Sequence, residues 1–93
     1  MKKPFNWSSE KNETLKKERD ISFEIVVEKL LNGEILSDAP HPNSEKYPNQ
    51  KIFLIEILNY CFLIPYVEND SEIFLKTIIP SRKKTKEFLK EVK

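Results

Sequence analysis

Arg82-Lys83-Lys84, directly after Ser81 and at the start of a run that reads as a helix, is the strongest chemical signal in these 93 residues. Three cations in a first turn oppose the positive end of the helix dipole, at about 0.3–1 kcal/mol each when exposed. A capping box would set an acid at Lys84. Free backbone N–H groups, a forked guanidinium and adjacent ammoniums, extended by Lys86, make an anion site for which phosphate is the natural guest. A solvated lysine-rich tail fits the same residues, and both readings stand open at this point. Lys51 and Lys76 would join Arg82 at one end or face of a sheet if the strands paired in simple register; otherwise such lysines serve solubility. His41, between Pro40 and Pro42, is the only histidine. It suits proton transfer near neutral pH, or is simply a surface side chain.

What is missing narrows the chemistry. There is no Ser-His-Asp arrangement, no metal-ligand spacing and no nucleotide fingerprint, so neither a metal nor another cofactor is expected. One glycine, Gly33, leaves no Gly-rich phosphate loop. The single cysteine, Cys61, alternates with apolar neighbours and reads as a small buried hydrophobe. Net charge is +1, but it is unevenly spread. Residues 1–17 hold five lysines against two glutamates, and residues 76–93 hold seven basic groups against two acids. Between them, eleven acids outnumber four basic groups. Two basic ends that met in space would form a positive patch on a nearly neutral protein.

The elements that must position these groups form one domain over residues 1–93, a length that allows no second core. Phe5-Asn6-Trp7 suits a short edge strand. Ser8 caps a polar helix over 9–19 that leans on the fold through Leu15 and Trp7. Ser22 caps a second helix whose Phe23, Val26, Val27, Leu30 and Leu31 form one apolar stripe, ended by Asn32-Gly33. Ile35-Leu36 can open a strand before a proline-rich loop over 39–50. Three strands then form an antiparallel meander: 51–57, a turn at Leu58-Asn59, 60–67, a turn at 68–71, and 72–79. Pro65 in the middle strand requires a bulge or the end of pairing. Glu56 either pairs with Lys76 across the meander or faces water. A terminal helix after Ser81 would pack through Phe88, Leu89 and Val92. The expected fold is α+β: two N-terminal helices, a three- to four-stranded meander sheet and a C-terminal helix. The longest apolar stretch, 60–67, is far too short to cross a bilayer, and no leader-like h-region opens the chain. A reduced, cytoplasmic domain is expected.

Phe5-x-Trp7, Lys11-Asn12 and Ile21-Ser22-Phe23-Glu24 resemble the N-terminal signature of BrnT-type toxins. In that family an aromatic-x-Trp-Asp opening leads to Lys-Asn and then Lys-His-Gly-Val-Ser-Phe-Glu. Ile78-Ile79-Pro80-Ser81-Arg82-Lys83-Lys84-Thr85 is similar to its Ile-Ile-Ser-Ala-Arg-Arg-Ala-Thr segment, and Gln50-Lys51-Ile52 to its Glu-Arg-Phe. The resemblance spans nearly the whole chain in order. It implies a bacterial toxin of the type II toxin–antitoxin systems, with a RelE-like fold and endoribonuclease activity on cellular RNA. It further implies a co-encoded ribbon-helix-helix antitoxin, through which alone the toxin would meet DNA. On this reading Arg82, Lys51, Lys76, Arg19 and His41 are the catalytic candidates, and Lys83, Lys84 and Lys86 bind RNA. Arg19 stands at the family's histidine, Glu18 and Asp20 at its lysine and glycine, Lys51 at its arginine, and Thr77 at the arginine before the Ile-Ile pair. The other expectation is a non-catalytic module that binds an antitoxin-like partner.

Overall fold

The computed structural model describes residues 3–89. Their order is β1 (Phe5–Asn6), α1 (Ser9–Arg19), α2 (Phe23–Leu31), β2 (Ser37–Pro40), β3 (Gln50–Ile57), β4 (Tyr60–Glu68), β5 (Ile73–Leu75), β6 (Ile79–Pro80) and α3 (Arg82–Leu89). This is the expected α+β class. The sheet is larger than a meander: its order is β1-β5-β4-β3-β2, with β6 also on β4, and β1 runs parallel to β5. The expected β3–β4–β5 meander lies at its centre. Ala39 and Pro40, expected in the loop, belong instead to β2, which is antiparallel to β3. No described helix is long and apolar enough to cross a membrane.

Local chemistry accounts for the elements. The Ser8 hydroxyl accepts from the Lys11 N–H at 3.2 Å, and the Ser22 hydroxyl from Ile25 N–H at 3.3 Å. α1 ends on Asp20, whose N–H donates to the Lys16 carbonyl and whose φ of 56° turns the chain so that Ile21 N–H reaches back to the Leu15 carbonyl at 3.5 Å. Such a left-handed position is one that glycine adopts without strain. Leu58 and Asn59, at φ 53° and 65°, make the hairpin turn between β3 and β4. Two successive positive φ values match the twist of the flanking strands. Glu56 accepts from the Asn59 N–H at 2.9 Å, so its carboxylate serves this turn and not Lys76.

Pro65 divides the third strand of the meander. Its carbonyl accepts from Lys76 N–H at 2.8 Å, so its N–H-less nitrogen lies on the same edge of β4. The ladder on that edge is therefore interrupted, with β5 pairing Tyr66–Glu68 and β6 pairing Phe62–Leu63. What reads in sequence as one strand over 72–79 is two short strands with a break at Lys76–Ile78.

The core lies between one sheet face and the first two helices. Phe23, Val26 and Leu30 of α2 and Leu15 of α1 meet Phe53, Ile55, Ile64, Tyr66 and Leu75. Trp7 covers Phe23, with ring centroids 5.7 Å apart. The apolar stripe of α2 overruns its contact: Leu31 is 63% exposed. Terminal α3 does not pack as expected, since Phe88 is exposed and Leu89 only half-buried. Val92 lies outside the described residues.

One buried polar group joins the two helices. Asn12 is 4% exposed; its Oδ1 accepts from Phe23 N–H at 2.8 Å and its Nδ2 donates to Glu24 at 2.9 Å. The Asn12 amide, with Glu24's own backbone N–H, holds the Glu24 carboxyl below its usual value of 4.5. Because the folded value is depressed, this contribution to stability is complete above the ordinary carboxylate pKa. It is lost as pH falls through the lowered folded value. Asn12→Ala should cost about 1–3 kcal/mol in urea unfolding at neutral pH, from the unpaired Phe23 N–H. It should also flatten the acid-side fall in stability. Asp20→Gly should stabilise by about 1 kcal/mol, relieving the positive φ and removing an acid from the negative end of α1.

Candidate functional site

The expected site residues do not form one cluster. Along β4, the rung of Tyr66 carries Lys51 and the rung of Phe62 carries Pro80, two residues before Arg82. Four strand residues separate these rungs, about 13 Å at the usual rise. Lys51 shares the face of Phe53 and Tyr66, at the end of the sheet away from α3. Lys76 is exposed just past buried Leu75, in the break caused by Pro65. His41 lies at Lys51's end of the sheet, where its N–H donates to the Gln50 carbonyl. Its ring packs on Tyr47 at 4.5 Å and its Nδ1 accepts from Asn43 N–H at 3.0 Å. The convergence of Lys51, Lys76 and Arg82 expected from simple register is thus not observed.

Arg19 lines a groove together with the C-terminal segment. This groove, of about 540 Å³, runs between α1 and residues 77–80, with Lys11, Glu18 and Arg19 on one wall and Thr77 and Pro80 on the other. Arg19 also sits in the last turn of α1, where a cation complements the helix dipole. Glu10 and Thr14 line the same groove. Glu10, Thr14 and Glu18 carry no site signal in the sequence beyond their i, i+4 and i+8 spacing on one face of a polar helix. The groove combines phosphate-binding cations with carboxylates and hydroxyls able to exchange protons. Among the described residues no three His, Cys, Asp or Glu side chains gather as a metal site.

Arg82 opens α3 just beyond the groove. The turn that presents it is anchored to β4 by polar contacts. Ser81 N–H donates to the Cys61 carbonyl at 2.9 Å, and Cys61 N–H donates to the Thr85 hydroxyl at 2.9 Å. The Thr85 hydroxyl in turn donates to the Ser81 carbonyl at 2.7 Å, and Ser81 Oγ caps Lys84 N–H at 3.1 Å. The cap therefore occupies part of the free N–H set expected for an anion. Lys84 is also drawn away, with its ammonium 3.3 Å from Glu87 and over the Phe88 ring. Arg82, Lys83 and Lys86 are exposed and make no ion pair with a described residue. Cys61, fully buried beneath this turn, has its thiol pKa pushed up by desolvation.

Removing the Thr85 hydroxyl tests the anchor. Thr85→Val should cost about 1–3 kcal/mol in chemical unfolding, because it strands the N–H of a buried residue. Thr85→Ser should stay close to the parent chain. The chain matches no protein-family model, no curated protein and no solved structure.

Proposed function

We propose that this chain is a toxin of the type II toxin–antitoxin kind, acting in the cytoplasm as a metal-independent endoribonuclease. Its working surface is the groove between α1 and residues 77–80 together with the first turn of α3. The observation that carries this reading is one groove lined by both Arg19 and the segment leading into Arg82, two parts of the chain far apart in sequence. Arg82 belongs to a stretch that resembles BrnT-type toxins, and Arg19 stands where that family's motif has histidine.

In the proposed reaction an RNA 2′-hydroxyl attacks the adjacent phosphorus and the 5′-oxygen departs, leaving a 2′,3′-cyclic phosphate and a 5′-hydroxyl. Arg82 and Arg19 stabilise charge developing on the phosphoryl oxygens. Lys11, Lys83 and Lys86 hold the backbone. Glu18 or Glu10 takes the proton of the 2′-hydroxyl and water supplies one to the departing 5′-oxygen, in place of His41 and Lys76, which lie outside the groove. Lys51 has no part in this groove. A ribbon-helix-helix antitoxin encoded beside the chain would neutralise it and carry any contact with DNA.

A second reading, a non-catalytic module that binds an antitoxin-like protein, is favoured by the separation of Lys51 from Arg82. Purified chain incubated with total RNA in chelator distinguishes the two. Cleavage to cyclic-phosphate ends, lost by at least about a hundredfold in a folded Arg82→Ala variant, supports the enzyme. RNA left intact by the parent chain, or cut equally by the variant, removes that assignment.

A further inference from the structure

A second recess, of about 300 Å³, opens at the other end of the sheet. Its floor is Phe53, Tyr66 and Ile73, all buried, with the Phe53 and Tyr66 rings stacked at 4.0 Å. Leu30, Leu31 and Ile35 form an apolar wall, and both Leu31 and Ile35 remain solvent-exposed. At the mouth stand Asp38, Lys51 and Glu68. An apolar recess with few convergent polar groups is the usual form of a small-ligand site, and this volume lies at the small end of that range.

The charges at the mouth define the guest. Glu68 is already neutralised by Lys3, 2.8 Å away. Asp38 accepts only the neutral Tyr66 hydroxyl, at 2.8 Å, and makes no ion pair with a described residue. Nor does Lys51 have an ion-pair partner among the described residues. Asp38 pairs in register with Phe53, two residues from Lys51 on the same face. The two groups are thus diagonal neighbours on adjacent strands, at a Cα spacing of about 7–8 Å. One free cation and one free anion flanking an apolar recess match a ligand with both charges on one short stem and an apolar tail.

We propose that this recess binds a free α-amino acid with a large apolar side chain. Its carboxylate lies on Lys51, its ammonium on Asp38, and its side chain against Leu30, Leu31 and Ile35. Within the recess, burial and Asp38 push the Tyr66 phenol up, and Lys3, with a smaller contribution from Lys51, holds the Glu68 carboxyl down. The assignment stands on its own geometry and does not require the ribonuclease reading. It gives Lys51 a role apart from the groove.

The test is an NMR titration of the ¹⁵N-labelled chain with leucine, leucinamide, N-acetylleucine and glycine. Leucine should give saturable shifts at Leu31, Ile35, Asp38 and Tyr66. Leucinamide, a mimic of a peptide N-terminus, should bind at least about tenfold more weakly, as should N-acetylleucine, a mimic of a C-terminus; that factor corresponds to one lost charged contact of about 1.4 kcal/mol. Glycine should leave these resonances unmoved. Lys51→Met and the exposed-site variant Leu31→Ser should each weaken leucine binding at constant fold, judged by the rest of the spectrum. No saturable shift at millimolar leucine, equal binding of either blocked form, or shifts confined to the α1 groove would overturn the proposal. None of these outcomes bears on whether Arg82 is needed for RNA cleavage.

Discussion

The position of α1 depends on one buried amide. α1 is a polar helix that contributes only Leu15 to the core, so apolar burial alone holds it weakly. Asn12 supplies the rest by accepting from the first N–H of α2 and donating to its first acid. An isolated N–H at a helix start needs such a partner when water is excluded. The amide also aligns α1 against residues 77–80, and so sets one wall of the groove that holds Arg19. Asn12, Ser22, Phe23 and Glu24 act together at this junction. In this chain their work is structural: a clamp, a cap, a core ring and the clamp's acid.

A second constraint is the missing N–H of Pro65. It splits the strand that sequence presents as continuous, and the chain leaves β4 at Lys76 and returns to it at Ile79. That return brings Ser81 onto Cys61 and roots α3 through hydrogen bonds instead of through a buried apolar face. Arg82 is thereby held at the end of the sheet opposite Lys51. The detour also turns buried Ile78 and its neighbours toward α1, forming the groove's second wall.

The two ends of the sheet differ in chemistry as a result. One gathers cations around a polar groove beside an anchored helix start, which suits a phosphate backbone. The other places opposite charges around an apolar recess under the end of α2. Lys51 and Arg82 look alike in composition, but their surroundings differ: an apolar wall and two carboxylates beside Lys51, and exposed lysines beside Arg82.

Sequence alone determined the elements whose causes are local. The caps at Ser8 and Ser22, the Phe23–Leu30 stripe, the turn at Leu58-Asn59 and the awkwardness of Pro65 all arise from side chains within a few residues of one another. The burial of Cys61 was legible for the same reason, from alternation along one strand. Contacts between distant segments were not legible: the parallel pairing of β1, the Asn12 clamp, the groove beside Arg19 and the separation of Lys51 from Arg82. Each depends on strand order and register, and a shift of a few rungs moves a side chain by more than the reach of a charged contact. Residue types thus specified which groups could do chemistry, while only the tertiary arrangement decided which of them share a site.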